Sequence, residues 1–307
     1  MPDWNQILDE LNAVEAATRS QSTFDLVRRK YLKELHKITE RNVIVYYSGW
    51  LQKPDILATQ INDEDKNGFM TVLHELDHSK GLDLILHTPG GETGATESLV
   101  DYLRSICGTD IRAFVPQLAM SGGTVIACGC KEIYMGKHSS LGPIDPQIGG
   151  IPAHGVIEEF NRAFEEVKED PDKILVWQPI LSKYPPAFIG RCEKSLTMVR
   201  EMVIHWLKTG MFADDDENVA AAKSEIVADN LINYSDLKSH DRHLHPKDCK
   251  ELIGLNVHFL EDDEVLQDAV LSIHHACMHT LAGTQAFKII ENHTGKAFIQ
   301  MQAQIPN

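Results

Sequence analysis

Short apolar runs alternate with amphipathic stretches over the first half of the chain. Residues 42–49, 82–87 and 110–115 are rich in β-branched, aromatic and leucine side chains, which is typical of strands buried in a sheet. Residues 63–81 and the stretch that follows Gly91 repeat apolar residues at helical spacing. Strands that alternate with helices of this length require crossover connections. The pattern therefore predicts an α/β fold with a largely parallel sheet covered on both faces.

Helical segments flank this predicted core. The polar helical pattern near the amino terminus predicts an N-terminal helical arm over residues 1–40. The second half of the chain is mostly helical in pattern, and no glycine- and serine-rich linker, repeat or low-complexity tract marks a boundary within it. We therefore predict one domain over residues 41–307, with its core at residues 41–150 and a helical elaboration and C-terminal segment at residues 151–307.

Charge and composition narrow the classes of partner. The chain has 45 acidic residues against 29 lysines and arginines, a formal net charge of −16. Such a chain offers no general phosphate-neutralising surface, so nucleic acid is not a predicted partner. No apolar stretch approaches the roughly 18 residues of a membrane-spanning helix, and the first residues lack the pattern of a signal peptide. Six sparse cysteines indicate reduced thiols. We expect a cytoplasmic protein with no integral membrane segment and no cofactor.

Two glycine-rich breaks each follow a predicted strand: residues 87–91 (HTPGG) and residues 118–123 (LAMSGG). The carboxyl ends of parallel strands share one edge of a sheet, where ligands bind in open α/β folds. Ser121 stands at the start of a small-residue helix, where free amides favour a developing anion. The amides of Gly91 and Gly122 can then donate to a tetrahedral oxyanion, because glycine lets a substrate approach the backbone closely. Glycines that only permit tight turns are the alternative explanation.

Three ordered motifs carry a resemblance to a known family: residues 84–91 (LILHTPGG), 119–124 (AMSGGT) and 135–147 (MGKHSSLGPIDPQ). They resemble the Clp-protease/crotonase superfamily. Within it, the chain is similar to the serine peptidases of the signal peptide peptidase A type, and specifically to the serine dehydrogenase proteinase family. The likeness is strongest over residues 81–150 and extends over residues 42–297.

This resemblance implies a fold and a set of site residues. The implied fold is a Clp-protease/crotonase-like spiral of ββα units, often assembled as a ring-like homo-oligomer. Ser121 is the implied nucleophile, and Gly91 and Gly122 are the implied oxyanion donors. Clp-type peptidases carry a histidine downstream of the serine, at the place where this chain has Pro146 beside Asp145. A Ser-His-Asp triad of the Clp type is therefore not expected here.

The general base is expected to be a lysine, as in relatives of signal peptide peptidase A. A lysine buried in an apolar pocket has a lowered pKa, which lets it act as a neutral base. Acidic neighbours around Lys168 and Lys173 favour a charged ammonium, whereas Lys183 has fewer charges nearby and precedes a long predicted helix. We select Lys183, keep Lys173 and Lys168 as alternatives, and keep the loss of the base as another. Three further residues are predicted to line the site: His138, Asp145 and His240. His138 and His240 are also kept as alternative bases.

A histidine motif suggests a different chemistry. Residues 74–78 (HELDH) spell H-E-x-x-H, which on a helix can bind Zn²⁺ with Glu75 as the base. The predicted apolar stripe of this helix has four members: Phe69, Met70, Leu73 and Leu76. That stripe leaves the motif on the solvated face, and no third ligand follows at a suitable spacing. No metal site is therefore predicted.

Together these features predict an ATP-independent serine peptidase that acts on a peptide or protein substrate through an acyl-enzyme on Ser121. Two alternatives stay open on the same fold. A crotonase-like enzyme would use its paired amides to stabilise the enolate of an acyl thioester. A catalytically inactive oligomeric scaffold would keep the fold without the chemistry. Covalent labelling of Ser121 distinguishes the peptidase from both.

Overall fold

A mixed sheet lies at the centre of the residues that the computed structural model describes, 4–17, 23–232 and 242–303. The strands are β1 (Asn42–Ser48), β2 (Leu82–His87), β3 (Ile111–Val115), β4 (Leu118–Ala119), β5 (Glu132–Met135), β6 (Ser140–Leu141), β7 (Gln147–Ile148), β8 (Ile151–Pro152), β9 (Val257–Phe259), β10 (Ala286–Asn292) and β11 (Ala297–Met301). The central sheet has the order β11-β10-β1-β2-β3-β5-β9, while β4 pairs with β6 and β7 with β8.

Helices cover the sheet and extend beyond it. The longer helices are α1 (Trp4–Ala17), α2 (Thr23–Thr39), α3 (Glu64–Leu73), α4 (Thr93–Cys107), α5 (Gly122–Cys128), α6 (Ala153–Glu169), α7 (Ile174–Leu181), α8 (Phe188–Thr209), α9 (Glu217–Ile232) and α10 (Glu264–Gly283). Shorter helical turns lie at Leu57–Thr59, His78–Lys80, Pro171–Lys173, Pro246–Asp248, Cys249–Ile253 and Leu260–Asp262.

The predicted parallel α/β core is confirmed. Strands β1, β2, β3, β5 and β9 pair in parallel, and Val45 lies opposite Ile85, which in turn lies opposite Phe114. The C-terminal strands add an antiparallel edge, since β10 pairs with β1 and β11 pairs with β10. The local pattern did not predict this edge, because pairing partners far apart in sequence leave no periodic signal.

Burial on both faces explains the continuous apolar runs of the central strands. In β1, Ile44 and Tyr46 pack into the cluster that contains α3, α4 and α8 residues, while Val45 packs toward α2 and α10. Every residue of β1 and β2 is buried. A strand covered on both faces has no polar side, so it shows no alternation of apolar and polar residues.

In the predicted N-terminal arm, α2 packs against β1 and α10, while α1 packs against α2 and α10. Ile7 and Val27 form a small apolar cluster with Ala276 of α10. The buried Arg28 places its Nε atom 2.5 Å from an oxygen of Glu291 in β10. An ion pair this deeply buried ties α2 to the sheet, because removing either partner would leave a charge uncompensated.

Three properties of the described residues bear on the setting of the protein. None of the helices among the described residues is long and apolar enough to cross a membrane. All six cysteines are buried and free of disulfide bonds. On α6 and α7, by contrast, large apolar side chains face outward, with exposures of 65% for Phe164, 74% for Leu175 and 65% for Val176.

Candidate active site

The loop that follows β2 lies directly beside the short strand β4. The amide of Thr88 donates to the carbonyl of Leu118 at 3.0 Å, and the Thr88 carbonyl accepts from the Met120 amide at 3.0 Å. Thr88 and Ala119 thereby form a parallel bridge that continues the strand register past the central sheet. The structure therefore brings the two glycine-rich breaks together at one edge, as expected for the carboxyl ends of parallel strands.

Ser121 occupies a strained turn immediately before α5. Its backbone has φ +50° and ψ −113°. A residue with a side chain rarely adopts this conformation, which costs on the order of 1–3 kcal/mol and is found mainly at functional sites. The turn places the side chain of Ser121 against the neighbouring loop, where a Cβ atom built on Gly90 would lie only 2.8 Å from the Ser121 Cβ.

Close backbone contact requires glycine on both sides of Ser121. Gly90 has φ +93°, and a Cβ atom there would lie 2.8 Å from the Gly122 nitrogen. A Cβ atom on Gly122 would lie 3.3 Å from the Gly91 nitrogen. Within the residues that the structure describes, neither the Gly91 nor the Gly122 amide donates a hydrogen bond. Both N–H groups are therefore available to an acceptor beside Ser121.

Residues 60–62 support the loop of residues 88–91, here called the glycine loop, from the side opposite Ser121. The amide of Ile61 donates to the Gly90 carbonyl at 2.8 Å, and the Glu92 amide donates to the Ile61 carbonyl at 2.9 Å. These two hydrogen bonds engage the groups on either side of Gly91 and leave its own amide unused. A Cβ atom on Gly91 would lie 2.3 Å from the Ile61 nitrogen and oxygen, so no side chain fits there.

Ser121, Gly91 and Gly122 line a common cavity of about 380 Å³. Other side chains of its wall come from α4, α5, α8 and the chain around β7, and include Thr96, Val125, Ile144, Gln147, Val199 and Met202. Sequence reasoning missed the α4 and α8 members as site residues. Their only signal was helical spacing, which predicts a buried face but cannot distinguish a core from the wall of a cavity.

The three candidate lysines lie away from this cavity. Lys168 has its Nζ atom 3.4 Å from a Glu165 oxygen, and Lys173 lies 3.6 Å from a Glu166 oxygen. Lys183 is exposed in the turn after α7. None of these three side chains lines the cavity around Ser121. The structure therefore brings Ser121 together with Gly91 and Gly122, the predicted nucleophile and oxyanion donors, but places none of the three lysines predicted as the base beside them.

The other predicted site residues have different positions. His138 is exposed in the turn after β5. Asp145 is buried, with 1% exposure, between two residues whose side chains line the cavity. His240 lies outside the described residues. Asp145 is thus the one of these three that the structure places next to the cavity wall.

The H-E-x-x-H motif does not lie on one α-helix. Helix α3 ends at Leu73, and Glu75 has φ +68°, which breaks the helical path within the motif. Glu75 is exposed and pairs with Lys296 at 2.5 Å. The predicted stripe was wrong at Met70, which is 53% exposed, because it lies about 100° around the helix from the buried Phe69. In the described parts of the chain, no three histidine, cysteine or acidic side chains are grouped to hold a metal ion.

The last residue of β2, directly before the glycine loop, is the buried His87. His87 is fully buried, and its ring packs against those of Tyr47, Trp50 and His274 at centroid distances of 5.3, 4.4 and 5.6 Å. Burial lowers the pKa of His87 to about 3, because a charged imidazole would lose its hydration there. The ring is therefore neutral at physiological pH and serves as packing behind the loop.

We expect acid to destabilise the fold partly through this residue. The pKa of His87 is lower in the folded chain than in the unfolded chain, so the unfolded chain binds its proton first as the pH falls below about 6.5. The free energy of unfolding should therefore decrease between pH 7 and pH 4. Denaturant titrations at several pH values should show a shallower decrease for His87→Phe than for the wild type. Equal slopes would contradict this assignment.

Comparisons with known proteins gave one matching family model and two similar sequences. The model of the family described as ClpP-like SDH-type serine proteinase matches residues 21–267. An uncharacterized protein of Methanocaldococcus jannaschii is 36% identical over 110 residues, which cover 36% of this chain and 37% of that protein. A second uncharacterized protein of that organism is 28% identical over 205 residues, which cover 67% of this chain and 63% of that protein. The chain thus spans less than two thirds of either relative.

Two solved structures share a broad likeness. One is a serine-to-alanine mutant of the 1510-N membrane-bound stomatin-specific protease, with 17% identity, a TM-score of 0.36, and coverage of 68% of this chain and 79% of that one. The other is a lysine-to-alanine mutant of the same protease in complex with a substrate peptide, with 20% identity, a TM-score of 0.35, and coverage of 64% and 70%. Likeness at this level assigns no residue. The family match covers most of the chain, and the chain therefore belongs to the family of ClpP-like SDH-type serine proteinases.

Proposed function

We propose that this protein is an ATP-independent serine peptidase in which Ser121 is the nucleophile and the amides of Gly91 and Gly122 form the oxyanion hole. The observation that carries the proposal is the meeting of these three residues at one cavity. Ser121 has a strained backbone there, and both amides are left without an acceptor among the described residues. Preorganised amides aimed at a developing negative charge are the largest single contribution in many hydrolases.

The geometry supports acyl transfer in two steps. The Oγ atom of Ser121 loses its proton to a base and attacks the peptide carbonyl carbon, while the carbonyl electron pair moves onto oxygen. The Gly91 and Gly122 N–H groups donate to that oxyanion. Its collapse expels the amine, which takes the proton from the base, and leaves an ester on Ser121. A water molecule, deprotonated by the same base, then hydrolyses the ester and restores the serine.

We propose Lys183 as that base, with Lys173 and Lys168 as alternatives. In this structure Lys183 is exposed in the turn between α7 and α8 and does not line the cavity. The proposal therefore requires α6 and α7 to move toward Ser121 or a second copy of the chain to supply the lysine. A second copy packed on this face would also cover the exposed apolar side chains of these helices, which supports a homo-oligomer.

The proposed setting follows from the surface of the chain. A formal net charge of −16 disfavours nucleic acid and favours the approach of neutral or basic peptides. The six free cysteines are consistent with a reducing compartment, so we propose a cytoplasmic enzyme. Peptides or unfolded protein segments are the proposed substrates, since an extended chain can bring a carbonyl to the loop edge where Ser121 lies.

A fluorophosphonate probe tests this proposal. We expect intact-mass spectrometry of the wild type to show one adduct, and peptide mapping to place it on Ser121, because the probe reacts with activated serines. Among Lys183→Ala, Lys173→Ala and Lys168→Ala, the variant that labels at least about 100-fold more slowly identifies the base, since about 100-fold is the lower end of the range for general base catalysis. Lys194→Ala, at an exposed position on α8, is the matched control and should label at the wild-type rate.

The possible results separate the peptidase from its two alternatives. Labelling of Ser121 that no lysine variant slows would leave the nucleophile in place and remove the lysine base from the proposal. Absence of an adduct on folded wild-type protein would contradict the peptidase mechanism. The crotonase-like enzyme and the inactive scaffold, neither of which needs a lysine at the cavity, would then be the remaining alternatives.

A further inference from the structure

A buried ion pair lies beneath the segment that supports the glycine loop. Lys288 of β10 and Asp65 of α3 have 0% and 1% side-chain exposure, and the Lys288 Nζ atom lies 2.7 Å from an Asp65 oxygen. They are 223 positions apart in the sequence. Two charges this deep in a protein lose their hydration, so each must be compensated by its partner and by further hydrogen bonds.

Those further hydrogen bonds lead to residues 60–62. The second donor contact of Lys288 is to the carbonyl of Gln60 at 2.8 Å. The other oxygen of Asp65 accepts from the Asn62 amide at 3.0 Å and from the hydroxyl of Tyr46 at 2.7 Å. The pair therefore holds the backbone on both sides of Ile61. Burial lowers the pKa of Lys288, and the charge of Asp65 opposes that shift.

Ile61 connects the buried ion pair to the glycine loop. Its amide and carbonyl bond to Gly90 and Glu92, which leaves the Gly91 amide directed away from Ile61. Its buried side chain also reaches the other amide donor, since a Cβ atom on Gly122 would lie 3.2 Å from the Ile61 Cδ1 atom. The position of Ile61 thus sets the position of the Gly91 N–H and limits that of Gly122.

We propose that Lys288 and Asp65 are positioning residues for the oxyanion hole, which they hold in register with Ser121 through residues 60–62. This inference rests on the proposed function of the Ser121 site. Neither side chain touches the cavity, so they act on the reaction only through the backbone that they fix. A misplaced oxyanion donor weakens transition-state stabilisation while leaving ground-state binding nearly intact.

The test measures fluorophosphonate labelling of the full chain over a range of probe concentrations. In Lys288→Met we expect the maximal labelling rate to fall by about tenfold to 100-fold, somewhat less than the loss typical when an oxyanion donor is removed outright. The probe concentration that gives half the maximal rate should stay within about twofold, because probe binding does not depend on this pair. Tyr46→Phe, which removes only one donor to Asp65, should show the same pattern with a smaller fall.

Arg28→Met is the matched control. Arg28 is equally buried and is paired with Glu291, but it lies on the α2 side of the sheet and has no hydrogen bond to residues 60–62 among those described. It should lower stability and leave the maximal labelling rate unchanged. Hydrogen exchange followed by mass spectrometry supplies a readout that does not depend on the labelling reaction. Peptides that contain the Glu92 amide should exchange faster in Lys288→Met but not in Arg28→Met.

Several results would overturn the inference. If Lys288→Met is labelled at the wild-type rate, the inference is overturned while the proposed function stands. If Lys288→Met does not fold, a wild-type labelling rate in Tyr46→Phe overturns it in the same way. An equal loss in Arg28→Met would show that general destabilisation is the cause. A wild type that is not labelled at all would remove the proposed function and the catalytic role of the pair together.

Discussion

A Ser121→Ala variant is expected to lose the fluorophosphonate adduct completely and to hydrolyse peptides roughly 10⁶-fold more slowly than the wild type. Ser121 is the residue at which a hydroxyl, a strained turn and two unused amides meet. In the proposed mechanism no acyl-enzyme can form without the Oγ atom, and only the weak catalysis by the proposed oxyanion hole and by substrate binding is left. Cleavage of a fluorogenic peptide and intact-mass spectrometry measure the two effects.

Ser105→Ala is the control for this variant, because Ser105 is exposed on α4 away from the cavity. It should keep wild-type labelling and turnover. Full activity in Ser121→Ala would transfer the chemistry to another residue and contradict the proposed mechanism. A partial loss of about tenfold would instead indicate a role in binding.

The strained turn adds a stability test at the same position. Ser121→Gly should be as inactive as Ser121→Ala but more stable than it by about 1 kcal/mol, since glycine adopts φ +50° without the steric cost that alanine keeps. Denaturant unfolding of the two variants measures the difference. Equal stability would show that the rest of the loop, and not residue 121 itself, carries the strain.

A Gly91→Ala variant is expected to reduce both labelling and hydrolysis by at least about 100-fold while the chain stays folded. The added Cβ atom would lie 2.3 Å from the backbone of Ile61, a distance that the structure cannot accommodate without a shift. Either the loop or residues 60–62 must move, and the Gly91 N–H moves with them. The oxyanion then loses one of its two proposed donors.

Gly94→Ala provides a control three residues farther along the chain. A Cβ atom there would meet nothing within 4 Å, and the residue lies in the first turn of α4, where alanine is the better helix former. It should be fully active and as stable as the wild type or slightly more so. Comparable losses in Gly94→Ala and Gly91→Ala would show that any substitution near the start of α4 impairs the site, and would remove the specific role of the Gly91 amide.

Much of this fold was predictable from local pattern. The strands β1, β2 and β3 are mostly apolar because helices cover both of their faces, and the glycines after β2 and β4 mark the edge where the chain turns. The motifs around Gly91 and Ser121 predicted the family, which the family match then confirmed. Helix α3 was predicted too long, because the sequence pattern did not reveal that Glu75 adopts a left-handed backbone.

By itself, the sequence determined three features: the α/β alternation, the family, and a serine in the second of two glycine-rich turns. Each of these is recognised from residues close together in the chain. The tertiary structure alone decided which helices complete the cavity, with Val199 and Met202 of α8 forming part of its wall. It also decided that β10 joins β1 and thereby brings Lys288 to Asp65. Contacts between residues far apart in the sequence depend on how the layers of the fold pack. Local periodicity reports only which face of an element is buried and does not identify its packing partner.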